Sequence, residues 1–501
     1  MRIRCARRAG ELGYTSEKMA ITPSRASPLF SVASGLLLSV VILCALPGKD
    51  CRAFDLADPL ATREITPPRP GPMINASDTA GAPCRPPSAD AVYGVLEVVD
   101  QALCSNPATR EAWSFARVQA AGVGIAQSDF LPALDGRLAA SRFRLNSQNN
   151  TQRNASLTLS WLLFDFGARS ANLEAARQLL SAASATLNST VQAVFLNALQ
   201  AYYNAQAARA AVIAASESER ASRESLAAAE VRYRIGSGTP ADRLQAQTAW
   251  SQATLSRIRA EGVQRNTLGK LANVMGLDAN VPLRLDDLPA ATPDTVFERD
   301  LAALIGEARE RRPDLKAAEA EFKAAQSGVD YARAAGLPTL SLAAGPKWED
   351  VGGVSANGGS IGLTLTLPIF SGFSTNYNVR AAQARSDVQA ARVDSVKLQI
   401  ALDVWEAYQS LTTATQTIRT TADLLASAEH SERVALGRYK AGVGSILDLL
   451  NAQSALANAR LQRVQAALDW YVSRATLARA IGLLDGNLLT ALSGKPKAPL
   501  Q

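Results

Sequence analysis

Two hydrophobic periods alternate along this chain and predict its elements. From 168 to 235 there is neither glycine nor proline, and small or apolar residues recur at Leu173, Ala176, Leu180, Ala183, Leu187, Val191, Val194, Ala198 and Tyr202. Steps of three and four predict one helix, about 100 Å long at ~1.5 Å per residue, with an alanine-rich seam for close neighbours. The span 374–441, broken only by Gly437, predicts a second. Glycine-rich stops at 236–240 and 442–445 are followed by helical sequence over roughly 241–274 and 446–481, so each half holds a helical hairpin with a glycine tip. Ahead of each long helix the period drops to two. Ile361-Gly-Leu-Thr-Leu-Thr-Leu367 alternates apolar with small or polar, as does Leu157-Thr-Leu-Ser-Trp161. Preceding strands are expected over 133–145 and 339–346, with the Asn-, Ser- and Gly-rich stretches 146–154 and 347–359 as hairpin loops.

The two halves are copies. Pro107 matches Pro313, Leu131-Pro132 matches Leu337-Pro338, Arg232-Tyr233 matches Arg438-Tyr439, and Gly236, Gly238 and Asp242 match Gly442, Gly444 and Asp448, always at an offset of 206 residues. One repeat is expected over 106–285 (β-hairpin about 133–164, helical hairpin about 168–274). The other is expected over 312–484 (β-hairpin about 339–370, helical hairpin about 374–481), with a linker at 286–311 and a tail at 485–501. Four strands cannot close a barrel, and an open sheet edge is not tolerated in lipid. Three chains of four give twelve strands without edges. The expected fold class is therefore mainly α with a membrane β-barrel: tandem helix–β-hairpin–helix repeats, with a trimer closing the barrel. Trp161, Phe164, Phe166, Trp348, Phe370 and Phe373 sit where an aromatic girdle would lie; the competing account has these rings capping a soluble sandwich.

Composition narrows the chemistry. The 501 residues are 47% hydrophobic and 19% charged, and hold a single histidine, His430, which excludes multi-imidazole metal sites. A basic lead followed by the apolar run 29–46 reads as a secretory signal over 1–53, although the run also reaches the minimal length of a membrane span, and Met19 is an alternative start. Without 1–53 the chain carries 44 basic and 42 acidic residues, which gives no case for nucleic acid. It also keeps only Cys84 and Cys104, most simply a disulfide in an exported chain, with two free thiols as the alternative. No phosphate loop, nucleophile elbow or paired-carboxylate cluster is present, so neither an enzyme nor a bound cofactor or metal is expected.

With these residues in view, the chain resembles the TolC family of outer-membrane channel proteins. The resemblance rests on Leu131-Pro132, Leu337-Pro338, Leu367-Pro-Ile-Phe370, the tips Arg232-Tyr-Arg-Ile-Gly-Ser-Gly238 and Arg438-Tyr-Lys-Ala-Gly-Val-Gly444, and Asp448-Leu-Leu-Asn-Ala-Gln453, and it covers nearly the whole chain beyond the signal. It implies a homotrimer in the outer membrane of a Gram-negative cell, its helices in the periplasm. It also implies a periplasmic adaptor docked at the tips and an inner-membrane ABC or proton-driven pump that supplies the energy. Pro132, Pro338 and Pro368 would redirect the chain where strand meets helix, with Leu162 standing where the first half lacks Pro368. The resemblance further implies a long helical tunnel through the periplasm, with Asp448, Asn451 and Asp242 at a gate in its mouth, weakened because Asn451 takes the next acidic position; a helix N-terminal role competes for Asp448 and Asp242. The proline-rich segment 54–105, with its cysteine pair, resembles members devoted to type I protein secretion. Small-molecule efflux and, in a different class, a periplasmic coiled-coil scaffold are the alternatives.

Overall fold

The computed structural model describes residues 57–71, 91–145, 148–287 and 300–484. The chain divides into Met1–Pro59 and Leu60–Gln501; only 57–59 of the first unit are described, and every helix and strand belongs to the second. The signal, Cys84, the centre of the inter-repeat linker and the tail lie outside the described residues.

The first repeat runs β1 (Val92–Tyr93), α1 (Val95–Ser105), α2 (Pro107–Ser128), β2 (Ala133–Leu145), β3 (Gln148–Phe164), α3 (Ala168–Arg234), α4 (Pro240–Val274) and β4 (Arg284–Leu285). The second runs α5 (Leu301–Arg311), α6 (Pro313–Ala334), β5 (Thr339–Val351), β6 (Val354–Thr366), α7 (Ser374–Lys440) and α8 (Ile446–Ile481). The long helices α3 and α7 each span 67 residues. An 18-residue stretch of α3 is apolar enough to cross a membrane by composition alone; the helix packs against α2, α4, α6 and α8, and a third of that stretch is buried.

The hairpin loops expected at 146–154 and 347–359 are a correction: both stretches are mostly strand. Leu145 pairs with Gln148, and Val351 pairs with Val354 across a turn of only Gly352-Gly353, whose φ values of 60° and 90° fit a two-residue hairpin turn. The polar residues there are the water-facing and outer-end positions of strands, not loop. The strands are accordingly 13, 17, 13 and 13 residues long; β2 keeps the span expected for it and the other three are longer.

The antiparallel sheet has the order β2-β3-β5-β6, and the helices beside it pack in the matching order α2–α3–α6–α7. Among the described residues both layers end in an unpartnered edge on each side. On α7 the apolar residues Val388, Leu398, Leu402 and Trp405, with Ala391 and Ser395 between them, follow alternating steps of three and four and are all exposed. On α2 the steps Phe115, Val118, Gly122, Ile125 repeat the pattern, and the three large side chains are 53%, 63% and 69% exposed. Such stripes are coiled-coil seams without a partner.

The protein's own core lies at the middle of the helices, where Phe195, Leu199 and Tyr203 of α3 meet Leu271, Leu304, Ile400 and Ile418, and Tyr203 stacks on Tyr471 with ring centroids 4.7 Å apart. At this level each half breaks a helix at an equivalent position. In the first, Asn106 caps α2 by accepting from the Ala108 N–H at 2.9 Å and donates to the Val274 carbonyl at 3.0 Å. In the second, Arg312 donates to Asp403 at 2.7 Å and to Asp314 at 3.0 and 2.5 Å. Pro107 and Pro313 begin the following helices, where a missing N–H costs nothing.

Burial alone would push the Asp314 carboxyl up, but the hydrogen bonds and charge of Arg312 outweigh it and hold it below the usual carboxylate range. A depressed native value means stability present above about pH 4, the unfolded value, and lost as pH falls through the native one. Thermal unfolding in detergent should therefore show Asp314→Asn destabilised at pH 7, with the gap to the unsubstituted protein closing as pH drops below about 4. A gap independent of pH would contradict the ion-pair account.

Candidate functional site

Two places carry the residues singled out in the sequence: the helical tips and the junction between sheet and helices. At the first tip the chain leaves α3 through a Schellman motif, the Gly236 N–H donating to the Tyr233 carbonyl at 3.1 Å and the Ser237 N–H to the Arg232 carbonyl at 2.9 Å. The second tip repeats it, Gly442 to Tyr439 at 3.1 Å and Val443 to Arg438 at 3.0 Å. Gly236 and Gly442 take φ of 78° and 80°, the left-handed region. Gly238 and Gly444 are glycine for another reason: a Cβ at Gly238 would stand 3.2 Å from the backbone of Arg232 and Tyr233, and one at Gly444 3.1 Å from that of Arg438 and Tyr439. The sequence pattern located these turns and the structure supplies their atoms.

Asp242 and Asp448 are the third residues of capping boxes. The Asp448 N–H donates to Ser445 Oγ at 3.1 Å while its carboxylate accepts from the Ser445 N–H at 3.4 Å; Asp242 and Thr239 do the same at 3.1 and 3.0 Å. Capping is therefore a role both acids fill in this structure. A groove of about 510 Å³ brings Asp448 and Asn451 together with Gly444, Arg438 and Ser431, whereas Asp242 lies on the other hairpin and is not part of it.

Four contacts between the hairpins were not legible in the sequence. Arg232 crosses from the first tip to the second, donating to the Tyr439 carbonyl at 3.2 Å with its guanidinium 4.7 Å from the Tyr439 ring centre. Beside it Leu226, Ala229 and Ala246 pack with Ile446 and Leu449. Ser225 and Gln453, both buried, are joined at 3.0 Å, and Arg460 pairs with Glu217 at 2.9 Å. No local pattern announces pairs more than two hundred residues apart; the 206-residue offset brings the tips into register, not the side chains across them.

At the other end Pro132 and Pro338 immediately precede β2 and β5, and Pro368 lies two residues beyond β6. The first half, without that last proline, uses an arginine. Arg169 Nη1 donates to the carbonyls of Leu162 at 2.6 Å and Asp129 at 3.2 Å, its Nε meets the Asp165 carboxylate at 3.0 Å, and its guanidinium lies 4.9 Å from the Phe130 ring centre. Both junctions turn through two successive left-handed residues, Phe166-Gly167 and Gly372-Phe373. At these turns the left-handed Phe166 lies beside Phe164 and the left-handed Phe373 beside Phe370, with ring centroids 4.8 and 5.4 Å apart, all four rings exposed.

The sheet itself has one apolar and one polar face. Register partners share a face, so Leu134 and Leu159, Gly136 and Leu157, Leu342 and Leu363, and Leu340 and Leu365 lie together, while Asp135, Thr158, Ser160, Ser341, Thr364 and Thr366 lie on the other. Leu134, Leu138, Ile361, Leu363 and Leu365 are between 57% and 85% exposed, an apolar surface far beyond what water tolerates on a monomer. Cys104 is disulfide-bonded; Cys84 lies outside the described residues. Among the described residues no group of three His, Cys, Asp or Glu could hold a metal ion.

Comparison with known proteins agrees with this geometry. The sequence profile described as outer membrane efflux protein matches residues 98–277 and again 304–483, two matches displaced by the same 206 residues. Protein CyaE of Bordetella pertussis is 35% identical over 420 residues, covering 82% of this chain and 88% of that protein. Outer membrane protein TolC of Escherichia coli is 23% identical over 425 residues, covering 81% and 85%. In structure, the Campylobacter jejuni CmeC outer membrane channel superposes with a TM-score of 0.71 at 20% identity, covering 80% of this chain and 89% of that one.

The tip contacts predict coupled dynamics. Arg232→Ala removes a hydrogen bond and a cation–π contact, together about 1–2 kcal/mol. Hydrogen–deuterium exchange should then quicken several-fold at 436–446 as well as at 230–238; quickening in the first hairpin alone would contradict the coupling. Ser445→Ala should cost about 1 kcal/mol through the lost cap and speed exchange in the first turn of α8 only.

Proposed function

Because the chain belongs to the outer membrane efflux protein family, we propose that three copies join edge to edge into a twelve-stranded barrel in the outer membrane, continued by a helical tunnel in the periplasm. The observation that carries the proposal is the coincidence of two open edges. Strands β2 and β6 and helices α2 and α7 are unpartnered on the same two sides, and the sheet face between them is apolar. A hydrocarbon environment satisfies the apolar face, and only a neighbouring strand satisfies an edge there. A second copy offers β6 to β2 and the stripe of α7 to that of α2; twelve strands is the closed, even-numbered solution.

The duct is passive, and its work is transport. Energy and selection come from an inner-membrane pump and a periplasmic adaptor that docks at the tips around Gly236, Gly238, Gly442 and Gly444. The gate is the tip itself: Asp448 and Asn451 stand in the groove beside Gly444, and Arg232 ties the first hairpin to the second. Pro132, Pro338 and Pro368, with Arg169, fix the turn from wall to tunnel, and Cys84 is the partner of Cys104. The cargo is exported protein, as in type I secretion, a reading supported by the proline-rich segment ahead of α1; efflux of small molecules is the alternative.

Outer membranes extracted with detergent should yield a heat-resistant trimer, and a species soluble without detergent would overturn the duct. In planar bilayers the isolated trimer should conduct weakly, and Arg232→Ala should raise conductance several-fold. Unchanged conductance would remove the tip from the gating role while leaving the duct in place.

A further inference from the structure

Toward the hairpin turns, the apolar face of the sheet changes abruptly. On β2 and β3 the paired layers run Leu134/Leu159, Gly136/Leu157 and Leu138/Ala155, then Ala140/Arg153 and Arg142/Thr151, with Arg144 one step beyond. Three arginines therefore occupy the face that is otherwise apolar, not the polar one, where Arg137 and Lys347 lie. Arg142 is two residues from Arg144 on one strand and diagonal to Arg153 on the next. All three are exposed, and none forms an ion pair among the described residues. One carboxylate shares the layer: Asp350 is the register partner of Arg153. Trp348, opposite Ala155, lies one layer before the arginines on the same face.

The spacing gives these positions a depth. Eleven residues separate Arg153 from Phe164, at the aromatic end of β3, which is roughly 36 Å along a strand and about 28 Å across a sheet tilted by ~40°. That is the thickness of a hydrocarbon core, with Trp348 where an interfacial ring belongs and the arginines just beyond it. Charge at that depth on a lipid-facing surface is tolerated only at the headgroups. Guanidinium pairs well with phosphate because its planar fork donates two parallel hydrogen bonds.

We propose that Arg142, Arg144 and Arg153 form a binding site for the phosphorylated glycolipid headgroups of the outer leaflet, one site per protomer and three around the barrel. The site rests on the trimeric barrel of the proposed function. Its chemistry requires phosphate monoesters on a lipid, three guanidinium groups against the single carboxylate of Asp350, and an affinity that falls with salt. Asp350 is the register partner of Arg153 without an ion pair to it, and no carboxylate is register partner to Arg142 or Arg144.

The test titrates detergent-solubilised trimer with bisphosphorylated lipid A and with its dephosphorylated form, counting bound lipid by native mass spectrometry. The expected result is selective binding of the phosphorylated lipid. R142Q/R144Q/R153Q should weaken it on the order of a hundredfold, each single substitution about fivefold, and R137Q on the polar face not at all. The single substitutions decide the matter if the triple variant does not assemble. Equal binding of the two lipids, or binding unmoved by any arginine substitution on the apolar face, overturns the lipid site while leaving a conducting trimer intact. Failure of the unsubstituted chain to form a trimer overturns the barrel and the site together.

Discussion

An unpaired strand edge beside an apolar sheet face is the constraint on which the rest of the structure depends. The row of N–H and C=O groups along β2 or β6 has no water to turn to in hydrocarbon, and each group left bare costs several kcal/mol. Among the described residues of one chain the four strands pair only with each other and leave both edges open. The helices meet the same condition in a milder form, since the exposed stripes of α2 and α7 are apolar but not unsatisfied. Strands therefore dictate assembly, and helices continue it away from the membrane. The repeat makes this possible with little sequence: each half supplies one β-hairpin and one helical hairpin, and the same geometry is used twice per chain.

What could be read from residues alone divides along physical lines. Periodicity and the 206-residue offset revealed α3, α4, α7 and α8, because an uninterrupted helix imposes its period on every residue. Glycine and proline marked the tips and junctions for local steric reasons. The outer halves of the strands were lost. Residues 148–154 are polar throughout and 354–359 are small or polar apart from Val354, so their composition imitates a loop, and only pairing with a neighbouring strand reveals them. Side chains that act across the repeat were lost for a similar reason. Arg232 reaching Tyr439, Ser225 meeting Gln453 and Arg169 gathering carbonyls at a junction are contacts of topology, not of local pattern.

The two halves, though copies, have diverged at equivalent points, and the divergence is chemical. Where the first half caps a helix with Asn106, the second anchors the break through Arg312 to two aspartates. Where the second half turns at Pro368, the first turns on Arg169 and Asp165. At the tips the divergence is directional, since Arg232 bridges to the second hairpin through the Tyr439 carbonyl and ring. In the sheet the two halves are joined by backbone pairing of β3 with β5, whereas at the tips they are joined by side chains, Arg232 on Tyr439 and Arg460 on Glu217.

The central claim is that the edges of one chain are closed by another, and a disulfide trap tests it most directly. Ala121→Cys on α2 and Ala381→Cys on α7 would be placed on separate chains, co-expressed and oxidised in the membrane, both positions being exposed at similar distances from the strand ends. Closure of one chain by the next predicts a covalent band of two chains from the mixture and none from either variant alone. If the mixture gives no such band, while a chain carrying both cysteines closes only on itself and runs as a single copy with its sheet intact, the claim is contradicted.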